Sequence, residues 1–241
     1  MMSLFGLEIF DGTRQEFVQL LEQRLSDKPV SLPTVVFTPN PEQIVLAKRD
    51  SDFFMLLRRA TYLIPDGIGL VYASRLLHKP LKERIAGTDV VTDLLQLANR
   101  KKMLVIGGRD YAQHKDIFWT EGFANVQQST PKEEEALTKT FQKVQPEIVF
   151  VAFGAPEQEK FIAKYFDLFL NNKVMVVMAV GGAFDILWGK VPRAPRFVQA
   201  AGFEWLFRLV REPWRWKRQL RLVQFIWLTM GEAATSFLRS T

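Results

Sequence analysis

The chain contains no cysteine. Disulfide frameworks, thiolate metal sites and cysteine nucleophiles are therefore excluded. Histidine is almost absent: only His78 and His114 occur, both in surface-like helical contexts. A Ser-His-Asp triad or a histidine-rich metal site has too little to be built from. There is no Walker A motif, no G-x-G-x-x-G and no G-x-S-x-G. Phosphate-loop ATPase, standard dinucleotide and nucleophile-elbow readings fail with them. No stretch reaches the ~18 unbroken apolar residues that a membrane span requires. The longest apolar-rich candidate runs only from Leu222 to Met230. The opening "MMSLFGLEIFDG" lacks a basic n-region, and acids interrupt its apolar run early, so it does not read as a signal peptide. Internal repeats and low-complexity linkers are missing too.

What is present is an ordinary globular composition, 48% hydrophobic and 24% charged, over 241 residues. That is enough chain to bury a substantial core. The net charge of +6 is unevenly placed. Residues 193–241 carry nine Arg or Lys and three Glu, so the whole excess lies in the last 49 residues. Four of the six tryptophans lie there as well. The C-terminal segment therefore faces an anionic partner, or an environment unlike that of the body.

Apolar, β-branched runs alternate with helical patterns. Strands are expected at 34–37, 61–64, 102–108, 147–154 and 173–182, and a short strand or hairpin near the N-terminus. Helices are expected at 14–25, 40–49, 68–77, 89–100, 110–121, 131–143 and 156–170. Asn40 reads as an N-cap, with Pro41 at the first helical position and Gln43 completing a capping box. The strands lack inside/outside alternation, which points to a parallel sheet covered on both faces. The fold class is α/β, with a doubly wound, mostly parallel sheet of Rossmann-like form and a basic amphipathic helical appendage at the C-terminus. Residues 1–194 read as the body and 195–241 as the appendage.

Ligands of such sheets bind at the carboxyl ends of the strands, where helix N-termini present N–H groups. Four strand ends carry small or polar residues: "TPN" (38–40), "PDG" (65–67), "FGAPEQE" (153–159) and "GGAFD" (181–185). Each has a plain structural reading beside a functional one. Thr38 and Asn40 form a strand-to-helix turn or line a ligand site. Asp66, before Gly67, is a turn or capping aspartate, or a general base that takes a proton from a hydroxyl nucleophile. Arg84 is a solvated loop arginine, or a guanidinium fork for phosphate. Glu157 and Glu159 complement a helix dipole, whereas Gln158 could bond a ligand hydroxyl or base edge. Gly154, Gly181 and Gly182 permit close backbone approach, and Asp185 caps a turn or binds a ribose. "DSD" (50–52) is a weak Asp-x-Asp match, and no metal ligand is assigned.

In the tail, Trp216, Leu220, Val223, Trp227 and Met230 share one helical face at ~100° per residue. Arg215, Lys217, Arg218 and Arg221 lie around the other side. A basic helix bearing tryptophan reads as a membrane-surface binder, each Arg or Lys near an anionic leaflet contributing ~1 kcal/mol. The bland alternative is packing on the body. Nucleic acid is not expected as a partner, because a nearly all-apolar run at 222–230 suits lipid better than phosphate.

Taken together, "TPNPEQIVLAKRD", "IPDGIGLVYASRLL", "ERIAGTD", "VFVAFGAPEQEKF", "GGAFDILWGKVPRAP" and "GFEWLFRLVREPWRWKR" resemble, in order, the WecG/TagA/CpsF family of bacterial glycosyltransferases. The resemblance spans roughly residues 34–218. It implies an inverting, metal-independent enzyme without a cofactor. Such an enzyme moves a sugar, of the N-acetylmannosamine type in the best-known cases, from a UDP-sugar to a polyprenyl-diphosphate-linked GlcNAc acceptor. The setting it implies is the cytoplasmic face of the membrane, where teichoic acid linkage units, exopolysaccharides or similar surface polymers are begun. It further implies Asp66 as the base, Thr38 and Asn40 on the sugar side, Arg84 against diphosphate charge and Gln158 at the nucleotide-sugar. Arg211, Arg215, Arg218 and Arg221 of the tail would meet membrane or diphosphate. The competing reading from another class is a non-catalytic nucleotide- or polyanion-binding module with a basic tail. Oligomeric state is open, homo-oligomers included.

Overall fold

The computed structural model describes residues 1–26, 32–97, 101–111, 117–195, 198, 204–211 and 216–240. The chain begins with the hairpin β1 (Met2–Leu4) and β2 (Leu7–Ile9), then helix α1 (Arg14–Ser26). Strand β3 (Thr34–Phe37) leads into α2 (Pro41–Arg49) and α3 (Ser51–Arg58), and β4 (Tyr62–Leu63) into α4 (Ile68–Leu76) and α5 (Gly87–Leu97). Strands β5 (Met103–Gly107) and β6 (Phe118–Thr120) precede α6 (Pro131–Val144). Strand β7 (Ile148–Ala152) is followed by α7 (Glu157–Lys164) and α8 (Phe166–Asn171), and β8 (Val176–Ala179) by α9 (Ala183–Leu187). The C-terminal helices are α10 (Glu204–Arg211) and α11 (Trp216–Ser240).

The strands form one sheet in the order β1-β2-β4-β3-β8-β7-β5-β6. Only the β1–β2 pair is antiparallel; the remaining neighbours run parallel. Each central strand feeds both faces. In β7, Val149 and Val151 join a core with α2, α3, α4, α6, α7 and α8, whereas Ile148 and Phe150 join one with α1, α5 and α9. Burial on both faces is why these strands read as continuous apolar runs.

Local chemistry sets the helix starts. Asn40 caps α2 by accepting from the Gln43 N–H at 3.0 Å, with Pro41 behind it. Asp50 caps α3, accepting from the N–H groups of Asp52 and Phe53, so the first carboxylate of "DSD" serves the backbone. Thr130 and Glu133 form a reciprocal capping box at α6.

Three expectations differ from the structure. The helix expected over 110–121 is replaced at 118–120 by β6, an edge strand of aromatic and β-branched residues. Trp119 ties it to β5 by donating to the Gly107 carbonyl at 3.1 Å. The helix expected over 156–170 breaks at Tyr165, whose ring packs on Phe123 and Phe161 and whose hydroxyl contacts Glu134 at 3.0 Å. The Gln43 side chain does not close a capping box; it turns inward to Glu159.

Helix α11 lies against α2 and α4. Phe225 is buried in the main core and meets Phe5 at 5.5 Å between ring centroids. Burial of one such ring stabilises by about 2–3 kcal/mol. Lys48 and Glu232 pair across α2 and α11 at 3.1 Å. The face predicted from the sequence is a different one. Leu220, Val223, Trp227 and Met230 are all more than half exposed, Trp227 at 70%. Thus α11 packs through one apolar face and presents a second. No helix among the described residues is long and apolar enough to cross a membrane.

The N-termini of α2 and α4 touch through glycine. A Cβ at Gly69 would come within 2.8 Å of Pro41 Cγ. Helix propensity alone would have Gly69→Ala stabilise by about 1 kcal/mol. The clash reverses the sign, and we expect a loss of about 1–3 kcal/mol in urea unfolding. An unchanged or higher midpoint would contradict this packing.

Candidate active site

A large cavity of about 1110 Å³ opens along the carboxyl edge of the sheet. That volume is at the upper end of small-molecule sites, roomy enough for a nucleotide-sized ligand and a second substrate. Thr38, Asn40, Asp66, Gly67, Arg84, Gly154, Gln158, Gly181, Gly182 and Asp185 all line it, and so does Arg221 from α11. The four strand-end turns thus converge on one space.

Parallel pairing produces the convergence. Strands β4 and β3 end side by side, and the Asp66 N–H donates to the Pro39 carbonyl at 3.0 Å. The Ile85 N–H donates to the Pro65 carbonyl at 2.9 Å, which brings the Arg84 loop beside the Asp66 turn. A Cβ at Gly87 would lie 3.1 Å from Thr38 Cγ2, so glycine lets α5 start close against Thr38. The N-cap position of α4 belongs to Gly67, with φ 96°, and not to Asp66. Asp66 and Arg84 are both half-buried on the cavity wall.

The opposite wall is braced by a glutamine. Gln158 Oε1 accepts from the Gly154 N–H at 3.2 Å and from the Gly181 N–H at 2.9 Å. Its Nε2 donates to Glu159 Oε1 at 3.0 Å, and Gln43 Nε2 donates to the same oxygen at 3.3 Å. Glu159 is wholly buried. Sequence reasoning had put Glu159 on the helix dipole and Gln43 in a capping box, and so missed this network. Its sequence signal is weak, since Glu159 is one of two acids in the first turn of a largely polar α7.

Beside Gly182, Asp185 accepts from the Tyr111 hydroxyl at 2.8 Å and lies 3.6 Å from Arg109 Nε. Burial pushes the Tyr111 phenol up to about 12, so it remains a donor. Arg109 also lines the cavity and went unpredicted. Its signal was the strand β5 running into Gly107 and Gly108, a fifth strand end of the same kind. Arg211 lies outside the cavity with its guanidinium over the Phe207 ring, 5.5 Å from the centroid. Arg215 lies outside the described residues, as does the side chain of Arg218.

Fold and edge together define the class: an α/β protein with a large cavity across the carboxyl ends of its parallel strands. The chain belongs to the Glycosyl transferase WecG/TagA/CpsF family, whose pattern matches residues 2–238. It is 34% identical, over 245 residues, to the N-acetylglucosaminyldiphosphoundecaprenol N-acetyl-beta-D-mannosaminyltransferase of Bacillus subtilis (strain 168), covering 95% of this chain and 91% of that one. The protein of the same description from Bacillus spizizenii (strain ATCC 23059 / NRRL B-14472 / W23) is also 34% identical, over 235 residues, with 91% and 87% covered.

Burial drives the Glu159 carboxyl up from an ordinary 4.5 to about 7. Hydrogen bonds from Gln158 and the Glu159 backbone oppose the rise, and the Glu157 charge adds to it. Between these values the folded chain keeps a proton that the unfolded chain releases. The stability from this group is full below pH 4.5 and lost as pH rises through about 7, a change of a few kcal/mol. Glu159→Gln should remove that slope. Stability measured in urea at steps from pH 5 to 8 should fall more steeply for wild type than for the variant. Equal slopes would refute a buried neutral Glu159.

Proposed function

We propose that the protein transfers an N-acetylmannosamine-type sugar from a UDP-sugar to a polyprenyl-diphosphate-linked GlcNAc acceptor. The observation that carries this reading is the convergence of Asp66 and Arg84 on one cavity, in a chain whose relatives bear that acceptor and that sugar in their names. Asp66 takes the proton from the acceptor hydroxyl as its oxygen attacks the anomeric carbon. The bond from that carbon to the diphosphate oxygen breaks, and the configuration inverts. UDP leaves with growing negative charge. Arg84, Arg221 and helix N-termini meet that charge without a metal, while Arg211, Arg215 and Arg218 of the tail serve the membrane side. Thr38 and Asn40 serve the sugar side, and Gly67, Gly154, Gly181, Gly182 and Asp185 shape the rest of the site.

The proposed setting is the cytoplasmic face of the membrane, in the building of a teichoic acid linkage unit or a similar surface polymer. Residues 195–241 act there as an appendage to the catalytic body. Their exposed apolar stripe enters the lipid boundary and their basic residues face anionic head groups. The polar and apolar walls of the cavity suit this pairing. Tyr72 and Leu76 of α4 and Ile226 and Met230 of α11 form an apolar end, suited to the lipid portion of the acceptor.

Two outcomes test the reading. Asp66→Asn should lower kcat by about 10²-fold or more, read as UDP release with a polyprenyl-diphosphate-GlcNAc analogue, with an unchanged circular dichroism spectrum. Undiminished turnover would remove Asp66 as the base. Leu220→Ser combined with Trp227→Ser alters side chains that are exposed and lie outside the cavity. Co-sedimentation with phosphatidylglycerol vesicles should weaken about tenfold while solution stability holds. Binding equal to wild type would sink the membrane role of this stripe.

A further inference from the structure

The network behind Gln158 has one hydrogen too few. Glu159 Oε2 and Gln43 Oε1 are both buried and lack a hydrogen-bond partner. They belong to the same two side chains that already meet through Gln43 Nε2 and Glu159 Oε1 at 3.3 Å. Two orphaned acceptors in one contact cost about 1–3 kcal/mol each. A proton on Glu159 Oε2 directed at Gln43 Oε1 would satisfy both at once, closing a ring in which acid and amide each donate and accept.

We propose that Glu159 is a positioning residue acting as a neutral carboxylic acid, which through Gln43 and Gln158 holds the Gly154 and Gly181 turns that floor the cavity. The orientation of Gln158 is the link. Its amide nitrogen faces Glu159, so its oxygen must face the two glycine N–H groups. Turned the other way, it would set an NH₂ against two N–H donors and leave Glu159 Oε1 with one donor fewer. The glycine turns follow β7 and β8, with φ of 80° at Gly154 and 51° at Gly181, and a ligand in the cavity meets them directly. Glu159 itself does not line the cavity, whereas Gln43 and Gln158 both do, so it acts on substrate only through them.

The kinetic consequence rests on the transferase reading; the protonation state does not. Difference infrared spectroscopy at pH 6 on the full chain, wild type against Glu159→Gln, should show a protonated carboxyl band that the variant lacks. In steady-state transfer, Glu159→Gln keeps an amide in place of the acid and should retain at least half of kcat/KM. Glu159→Ala should raise KM for the UDP-sugar about tenfold or more, the equivalent of one lost buried hydrogen bond, with a smaller effect on kcat. Should Glu159→Ala not fold, Glu159→Met fills the same space without a hydrogen-bonding acid and should raise KM in the same way. No difference band, or a Glu159→Gln variant as impaired as Glu159→Ala, would overturn the proposal. If the band is present and no UDP-sugar is turned over by wild type, the transferase reading fails and the neutral acid stands.

Discussion

One oxygen atom joins the two central strand ends. Strands β7 and β8 are neighbours in the middle of the sheet, and each finishes in a glycine turn whose geometry side chains seldom adopt. Gln158 Oε1 accepts from both turns. Pairing both half-buried N–H groups with one oxygen ties the two turns together. The positions of Gly154 and Gly181 on that wall follow from this contact. The buried carboxyl behind Gln158 is costly in isolation, and its place there is understandable as the group that decides which way the amide points.

The other wall is assembled by contacts of a different kind. There the backbone of Asp66 reaches Pro39, that of Ile85 reaches Pro65, and glycines at 69 and 87 let helix starts approach Pro41 and Thr38. Rigid backbone turns hold a carboxylate and a guanidinium within one cavity. Proton transfer and charge stabilisation both depend on such positioning, since their benefit falls steeply with small displacements. For the proposed reaction the two walls divide the work: one fixes the side chains proposed to react, the other fixes the floor of the cavity.

Much of this was legible in the sequence because it rests on local chemistry. Asn40 with Pro41, the strand-end glycines and the uninterrupted apolar strands each have a near-neighbour cause, and the resemblance to the family set the motifs in order. What was not legible depends on tertiary partners. Glu159 looks like any acid in a first helical turn until α2 is packed against α7. Gln43 fits a capping box by spacing, yet its side chain is drawn to a residue 116 positions away. Phe118 and Trp119 fall in a stretch that reads as helical, but a free edge on β5 recruits them as a strand. Arg109 follows glycines that signalled a turn without saying what the turn would face.

The C-terminal helix shows why a single-face reading of amphipathicity falls short. From sequence, packing on the body and binding to a membrane were alternatives for one apolar stripe. In the structure they concern different faces of the same helix: Phe225 and Thr229 are buried, while Leu220, Val223, Ile226 and Trp227 are exposed. A helix apolar on both sides would ordinarily be buried on both. Here the buried side together with Val223, Ile226 and Met230 closes one side of the cavity, and Leu220 and Trp227 continue it into an exposed patch of the sort that marks an interaction surface. For the proposed reaction that continuity has a physical use. A sugar carried on a lipid diphosphate must bring its polar end to the strand edge while its chain stays in an apolar environment. A cavity with polar residues at the sheet and an apolar exit along α11 allows both without lifting the lipid through water.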